Sequence, residues 1–295
     1  MPELPEVETV RRRLAPVLDG RVLERVEIDD PRLTRPLDPR DVARELEGER
    51  VASVNRRGKY LIVRFESGRA LLVHLRMTGS FLHGTGLPQD DHRRALVALD
   101  DGSQLAYRDV RRFGTWLLLE PEEVEAYVDA RVGREPLAEA YRAKHLGERL
   151  AGRRAPVKAA LLDQRTVAGV GNIYADEALW RARIHPQTPA EALGPEEVKA
   201  LHRAVRDALR AGIRRQGSTL RDYRLPDGSD GGAQHEFRVY GRGGEPCDRC
   251  GTPIDKIRVA GRGTWYCPAC QRRVDGYAAS RPASRPSRSR RQSSV

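Results

Sequence analysis

The four cysteines of the chain form two pairs close to its C-terminal end. Two residues separate Cys247 from Cys250 and Cys267 from Cys270, and sixteen residues lie between the pairs. This C-x2-C-x16-C-x2-C spacing predicts one structural zinc ion held by four thiolates, with the segment between the pairs folded into a β-hairpin. The alternative, two disulfides or unpaired thiols, suits a secreted protein better than a chain without a secretion signal.

The segment between the cysteine pairs contains a basic turn. The sequence Ala260-Gly261-Arg262-Gly263 lies in its middle, and we expect it to form the turn of the hairpin with Arg262 at the tip. A hairpin supported by zinc in this way would present a cation to an anionic partner. On this motif alone, a zinc-ribbon binding protein and an enzyme are equally compatible with the sequence.

The charge balance favours a polyanionic partner. Lys and Arg number 53 against 42 Asp and Glu, which gives a formal net charge of +11. Such an excess is typical of proteins that bind nucleic acid, although a basic proteome or one basic tail would give the same total. Residues 276–295 hold five arginines and no acid, and their Ser, Arg and Pro content predicts disorder. This tail either contacts nucleic-acid phosphates or is a solvated extension.

The sequence contains no recognisable targeting segment. Its first fifteen residues lack the apolar core of a signal peptide. No run approaches the roughly 20 apolar residues that a membrane span needs. The expected compartment is therefore the cytoplasm, with no membrane partner, and the expected state of the protein is a monomer.

Hydrophobic periodicity predicts strands for most of the first 120 residues, behind one leading helix. Residues 3–18 predict the helix, because their apolar residues recur at helical spacing. Most of residues 21–120 predicts short strands, with hairpin turns at Ser67-Gly68 and Asp101-Gly102. Several short strands separated by turn signals are typical of a β-sandwich.

The pattern becomes helical from about residue 130. Residues 157–184 predict a helix, a Gly-containing turn and a second helix. Residues 195–217 predict a long amphipathic helix that ends at Gly217. The Gly-rich, polar segment 224–234 predicts a loop that follows this helix.

The first residues, MPELPEVE, are acidic and rich in proline although the chain is basic. An N-terminal proline has a secondary amine, and α-amino groups have pKa values of roughly 7.7–8.0, so part of it is free base at neutral pH. Once Met1 is removed, Pro2 could attack a sugar C1′, with the adjacent Glu3 as proton carrier. The alternative is an ordinary helix start with a proline at its head.

Motifs along the chain together resemble the bacterial formamidopyrimidine-DNA glycosylase family. In family order, from residue 2 to about residue 272, they are PELPEVETVRRRL, RRGKYL, HLRMTGS, DVRRFG, GVGNIYADEALW, IHP, VYGRGGEPC and the cysteine pairs. The resemblance implies an α+β multidomain fold. Its expected parts are a catalytic β-sandwich with a leading helix (1–130), a helix–two-turn–helix domain (131–231), a zinc-finger hairpin (232–275) and the tail (276–295).

The resemblance also implies an activity and a catalytic set. Similar proteins are bifunctional DNA glycosylases and AP lyases of base-excision repair that remove 8-oxoguanine and formamidopyrimidines from damaged double-stranded DNA and nick the strand by β,δ-elimination. The family pattern assigns the nucleophile to Pro2 and the acid/base to Glu3. It assigns β-elimination to Lys59, and a phosphate contact linked to δ-elimination to Arg262.

Three residues match positions that fill the gap left by a flipped nucleotide. A base inside the duplex cannot be reached by an active site, so the nucleotide must leave the stack. The matching residues are Met77, Arg111 and Phe113. An apolar wedge kinks DNA, and an arginine can pair with the orphaned base. Without the resemblance, Met77 and Phe113 would be interpreted as core residues and Arg111 as a surface charge.

Three more residues match DNA-contacting positions of the family. Asn172 follows the sequence GVG at the start of a helix, where backbone amides suit a phosphate, although GVGN alone is compatible with a plain turn. His92 matches by its spacing from Gly102, and Arg153 stands where a lysine is common. These residues complete the DNA-binding set that the resemblance implies.

Three departures from the family pattern bear on lesion preference. Arg76 stands where glycine is usual, Val110 stands where proline is common, and segment 229–234 lacks an aromatic residue found in some relatives. Two rival interpretations are an endonuclease VIII-like enzyme for oxidised pyrimidines and a catalytically silent damage-binding paralogue. PELPE rather than PEGPE and the gap-filling residues argue against the first rival, and the intact catalytic set argues against the second.

Overall fold

The computed structural model describes residues 1–272, so the predicted tail at 276–295 lies outside the described residues. The helices are α1 (Leu4–Leu18), α2 (Pro39–Leu46), α3 (Pro121–Asp129), α4 (Ala143–Leu150), α5 (Val157–Leu162), α6 (Asn172–Ala182) and α7 (Pro195–Arg214). The strands are β1 (Leu23–Ile28), β2 (Val51–Arg57), β3 (Tyr60–Phe65), β4 (Ala70–His74), β5 (Ser80–Gly84), β6 (Arg93–Leu99), β7 (Gln104–Arg108), β8 (Thr115–Leu119), β9 (Asp255–Val259) and β10 (Arg262–Tyr266). None of the helices in this part of the chain combines the length and apolar content that a bilayer crossing requires.

Two four-stranded antiparallel sheets form the predicted β-sandwich. One has the strand order β1-β6-β7-β5 and the other β2-β3-β4-β8. Both hairpins expected from the sequence are present, with β3 and β4 joined through Ser67-Gly68 and β6 and β7 through Asp101-Gly102. At each turn the glycine has a positive φ, which costs little without a Cβ. The inner faces of both sheets share one hydrophobic core.

Helix α1 packs against both the sandwich and the helical part of the chain. One face enters the sandwich core through the residues that set its periodicity: Val7, Val10, Leu14 and Leu18. At its first residue, Leu4 belongs instead to the core of the helical part. The Leu4 amide donates to the Gly169 carbonyl at 3.0 Å, immediately before α6. The start of the chain is therefore fixed between the two parts.

Helices α4 to α7 surround a second hydrophobic core. The predicted helix, Gly-containing turn and helix are present as α5, the turn and α6. The apolar face of α7 is the predicted one, and its members are Val198, Leu201, Val205, Leu209 and the half-buried Ile213. The helical prediction for this part of the chain is thus confirmed.

Helix α2 interrupts the stretch in which the sequence predicts mostly strands. The Asp38 side chain accepts a hydrogen bond of 2.8 Å from the Arg40 amide, and Pro39 occupies the first turn. Val42 and Leu46, four residues apart, are the buried residues of the helix. Local capping and helical spacing therefore outweigh the strand-rich context of this segment.

The C-terminal β-hairpin matches its prediction. Strands β9 and β10 pair antiparallel, and Arg262 faces Val259 at the first position after the turn. Ala260 and Gly261 both have positive φ, as in the two-residue turns that suit strand twist. Arg262 is exposed at this tip. The α+β fold class is confirmed, whereas the domain boundaries at 130, 231 and 275 stay a prediction.

Candidate active site and nucleic-acid interface

The Glu3 carboxylate lies against the N-terminus of helix α6. It is only 3% exposed, and it accepts hydrogen bonds from the backbone amides of Gly171 at 2.7 Å and Ile173 at 2.9 Å. A Cβ at Gly171 would overlap the Glu3 carboxyl group, so glycine is required for this close approach. The amides of the first helical turn have no acceptor within the helix, and together with the positive end of the helix dipole they favour an anion at this position.

This arrangement occupies two of the amides at the GVGN turn. The sequence suggested that the amides at the start of α6 bind a phosphate, but the Glu3 carboxylate already accepts from the Gly171 and Ile173 amides. The Asn172 side chain points elsewhere, and its Nδ2 donates to the Gly263 carbonyl at 3.0 Å. Asn172 therefore connects the start of α6 to the hairpin turn that carries Arg262, and its assignment as a DNA contact stays a prediction.

Two ionisable groups beside Pro2 have pKa values shifted in opposite directions. Burial raises the pKa of the Glu3 carboxyl, although the nearby Lys59 ammonium opposes the shift. Burial lowers the pKa of Lys59, although Glu3 and Glu6 oppose it, and Arg262 lowers it further. Glu3 therefore stays protonated to a higher pH than an ordinary glutamate, and Lys59 becomes neutral at a lower pH than an ordinary lysine.

Glu6 supports this site and was missed by the sequence interpretation. Its carboxylate accepts hydrogen bonds from the Glu3 amide at 2.9 Å, the Tyr174 hydroxyl at 2.9 Å and the Ser218 amide at 2.8 Å. These bonds connect the start of α1 with α6 and with the segment after α7. The available signal was the second glutamate of PELPE, because Glu three residues after the N-cap is typical of a capping box.

A cavity of about 400 Å³ opens next to the N-terminus of the chain. Three residues of the predicted site line it, namely Pro2, Met77 and Arg111. The remaining lining residues come from several parts of the chain: Met1, Glu6, Thr78, Val110, Ile173, Ser218, Leu220, Arg221, Asp222, Tyr223 and Tyr240. The tertiary structure thus brings the predicted nucleophile together with two predicted gap-filling residues.

The three predicted gap-filling side chains are exposed. Met77 is 37% exposed and Phe113 is 52% exposed, so neither is the core residue that its apolar character alone suggests. The Arg111 guanidinium carbon lies 4.8 Å from the centre of the Phe113 ring. Exposed apolar side chains beside a polar cavity fit contact with a partner better than a structural role.

His92 and Arg153 do not line the cavity. The Arg153 guanidinium forms an ion pair of 2.9 Å with the Asp163 carboxylate on the protein itself. The half-buried His92 contributes its backbone carbonyl, which accepts from the Asp109 amide at 2.9 Å. Their assignment as DNA contacts stays a prediction.

The four cysteines are arranged to hold a metal ion. Their sulfur atoms all lie within 4.8 Å of one another, with the Cys250–Cys267 pair at 3.5 Å and the Cys247–Cys270 pair at 4.0 Å. Four thiolates around zinc at about 2.3 Å would be about 3.8 Å apart, whereas a disulfide needs about 2.05 Å. The residues therefore fit a tetrahedral zinc site and exclude the disulfide alternative.

A buried ion pair docks the zinc hairpin onto the helical part. The Lys158 ammonium on α5 lies 2.7 Å from the Asp176 carboxylate on α6, and both side chains are fully buried. Lys158 Nζ also donates to the Thr264 hydroxyl at 2.8 Å and to the Gly263 carbonyl at 3.1 Å. Asp176 accepts from the Trp265 amide at 3.1 Å. These contacts hold β10, and with it the position of Arg262.

Three family models match the chain in succession. The formamidopyrimidine-DNA glycosylase N-terminal domain matches residues 1–116, and the formamidopyrimidine-DNA glycosylase H2TH domain matches residues 132–224. A zinc finger found in FPG and IleRS matches residues 244–273. The matches cover the sandwich, the helical part and the cysteine pairs.

Relatives and solved structures agree with these matches. The formamidopyrimidine-DNA glycosylase of Symbiobacterium thermophilum is 47% identical over 98% of this chain and 95% of its own length. That of Bacillus subtilis is 46% identical over 92% of this chain and 99% of its own length. A Lactococcus lactis FPG mutant in complex with Fapy-dG-containing DNA is similar with a TM-score of 0.87 and 40% identity, over 92% of this chain and 100% of the other. Further Lactococcus lactis complexes contain an abasic site or an oxidised pyrimidine.

The fold and these similarities define a DNA glycosylase of base-excision repair. The chain belongs to the formamidopyrimidine-DNA glycosylase family. Its C-terminal module is a zinc finger in which the four cysteines hold one structural zinc ion. The family, the fold class and the zinc ion predicted from the sequence are therefore confirmed.

Proposed function

We propose that this protein is a bifunctional DNA glycosylase and AP lyase that excises oxidised purines through Pro2 and nicks the strand by β,δ-elimination. The observation that carries the proposal is the arrangement around Pro2: the adjacent Glu3 is buried and bonded to the amides at the start of α6, and Pro2 lines a cavity together with Met77 and Arg111. Burial raises the pKa of Glu3 and lowers that of Lys59, which favours a protonated carboxyl and a neutral amine, and such a pair supports successive proton transfers around one nucleophile.

The first chemical step uses the Pro2 nitrogen, which becomes a free amine when Met1 is removed. The nitrogen attacks C1′ and forms a C–N bond, while the glycosidic bond breaks and its electrons leave with the damaged base. Glu3, held by the amides at the start of α6, supplies a proton as the sugar ring opens. The Pro2 N–H proton is lost and balances the charge of the departing base, and the product is an iminium ion between the protein and the sugar.

The later steps need a base and a phosphate contact. The iminium ion acidifies the C2′ proton, and neutral Lys59 removes it so that the C3′–O bond breaks with the phosphate as leaving group. A second elimination removes the C4′ proton and breaks the C5′–O bond, with the other phosphate as leaving group. Arg262, exposed at the hairpin tip and held through β10, would bind the phosphate that leaves.

The substrate preference rests on the relatives and on the gap-filling residues. The solved complexes of the relatives contain Fapy-dG, carbocyclic 8-oxo-G and an oxidised pyrimidine. We expect the oxidised purines to be preferred in a cleavage panel of duplexes that each carry one lesion. A clear preference for oxidised pyrimidines would favour the endonuclease VIII-like alternative. The monomeric state and the cytoplasmic location stay predictions.

Borohydride trapping tests the nucleophile. Reduction of the iminium ion fixes the protein to DNA, so protein without Met1 should form an adduct with abasic-site DNA. Pro2→Gly should form far less of it, and protein with an N-terminal extension should form none, because an acylated proline nitrogen is not nucleophilic. Normal trapping and cleavage by the extended protein would place the nucleophile elsewhere. The silent-paralogue alternative predicts DNA binding without any adduct.

A further inference from the structure

Two loops that border the cavity share one buried support. We name them the wedge loops: Met77–Gly79, which carries Met77, and Val110–Gly114, which carries Arg111 and Phe113. Thr78 in the first loop and Asp109 just before the second are both buried. The Thr78 hydroxyl donates to one carboxylate oxygen of Asp109. Thr78 and Asp109 are thirty-one residues apart in sequence, and this hydrogen bond joins the two loops through their side chains.

The same two side chains also fix the backbone of the second loop. The Thr78 hydroxyl oxygen accepts a hydrogen bond from the Arg111 amide at 3.0 Å. The other carboxylate oxygen of Asp109 accepts from the Gly114 amide at 2.7 Å. Both ends of the segment that carries Arg111 and Phe113 are therefore anchored to the Thr78–Asp109 pair.

The glycines that close the wedge loops pack against one tyrosine. A Cβ at Gly79 or at Gly114 would overlap the hydroxyl group of Tyr107, which is fully buried below both loops. Each loop therefore ends where only glycine fits, two residues after Met77 in the first loop and directly after Phe113 in the second. This packing explains the glycine in both HLRMTG and DVRRFG, and it gives the two loops a common base.

We propose that Thr78 and Asp109 are positioning residues that join the wedge loops, so that Met77, Arg111 and Phe113 enter a duplex as one unit. The inference rests on the proposed function, in which these three side chains fill the gap beside a flipped nucleotide. A hydroxyl can donate to a carboxylate and accept from an amide at once, which valine and alanine cannot do. Removal of the Thr78 hydroxyl leaves the Arg111 amide without its acceptor and one Asp109 oxygen without its donor.

The test compares four full-length, zinc-loaded proteins. Thr78→Val removes the hydroxyl at nearly constant volume, and Thr78→Ser keeps it. Thr34→Val is the matched control, because it removes another buried hydroxyl whose bond is to the Leu37 carbonyl within its own loop. Each protein is mixed with a lesion duplex that carries 2-aminopurine beside the lesion, and fluorescence follows base unstacking. Excision opposite each of the four bases gives the opposite-base preference.

We expect only the variant that lacks the Thr78 hydroxyl to differ from wild type. Thr78→Val should slow the unstacking signal and weaken opposite-base preference, each by about tenfold, the factor that one lost buried bond to a charged group commonly produces. Thr78→Ser and Thr34→Val should match wild type. In an Arg111→Ala background, Thr78→Val should weaken the preference no further, because the preference is already lost.

Equal behaviour of Thr78→Val and Thr34→Val in both readouts would overturn the inference. If Thr78→Val does not fold, Thr78→Ala removes the same hydroxyl without a methyl group against the Asp109 carboxylate, and the same outcomes apply to it. Failure of the proposed function is seen separately, because wild type would then excise no lesion in the same assay.

Discussion

The structure contains two deeply buried lysines in different surroundings. Lys59 lies in the turn between β2 and β3 and is 5% exposed, and no hydrogen bond among residues 1–272 involves its Nζ. Lys158 is 0% exposed, and its Nζ contacts the Asp176 carboxylate, the Thr264 hydroxyl and the Gly263 carbonyl. Burial lowers the pKa of both lysines.

Burial and a lowered pKa therefore do not by themselves mark a catalytic lysine. An amine whose protons are held by fixed acceptors cannot take up another proton without breaking those bonds. An amine without such partners can exchange its proton with a substrate. The contrast supports the catalytic role proposed for Lys59 and a docking role for Lys158, and substitutions at the two positions should have different consequences.

The largest expected effect is on strand nicking by Lys59→Met. Loss of a positioned base commonly lowers a rate by about 10²–10⁴-fold, so nicking at a preformed abasic site should fall by that amount. The folded protein should not be weakened at neutral pH, because the burial that lowers the Lys59 pKa disfavours its charged form. Single-turnover nicking and thermal unfolding measure the two quantities. Unchanged nicking would remove Lys59 from the elimination step.

The next largest effect is a loss of folding stability in Lys158→Met, the counterpart of Lys59→Met. Removing one partner of a buried ion pair leaves a charge without compensation and commonly costs about 3–5 kcal/mol. We expect the zinc hairpin to detach from α6 at lower denaturant concentration, as hydrogen exchange at β10 would show. Borohydride trapping at Pro2 should persist in the folded protein, because Lys158 belongs to the docking contact.

The double variant Lys158→Met with Asp176→Leu is the control for that assignment. Removing both charges together should restore part of the lost stability, because no unpaired charge remains. A residual cost of about 1–3 kcal/mol is expected, since the Trp265 amide loses its acceptor on Asp176. If Lys158→Met abolished trapping while the hairpin stayed docked, the distinction between the two lysines would be wrong.

The smallest effect is a pH dependence that separates the two sites. In the folded protein the pKa of Lys59 lies below its ordinary value of 10.5. Between these two pKa values, the unfolded protein therefore binds more protons than the folded protein does. Stability should therefore rise with pH across this window, and nicking should rise as Lys59 becomes neutral. Both slopes should be reduced in Lys59→Met, whereas the nicking slope should persist in Lys158→Met. Identical pH profiles for wild type and Lys59→Met would contradict the prediction.

The sequence alone determined the features that local pattern controls. The cysteine spacing specified a zinc ion, because two Cys-x-x-Cys pairs can surround one metal whatever the rest of the chain does. Helical periodicity identified α1 and α7, and turn residues identified both sandwich hairpins. The family motifs predicted the fold class and the zinc finger, which the comparisons confirm.

Only the tertiary structure decided which polar groups meet. Glu3 and Gly171 are 168 residues apart, and no local pattern showed that the Glu3 carboxylate would accept a hydrogen bond from the Gly171 amide. Met77 and Phe113 look like core residues in sequence, yet the loops that carry them place them at the surface. The RRGKYL motif assigned a role to Lys59, but no local pattern showed that Lys158 would bond to Asp176, Thr264 and Gly263. Hydrogen-bond partners and burial depend on segments that are distant in the chain, so these properties follow from the fold and not from sequence pattern.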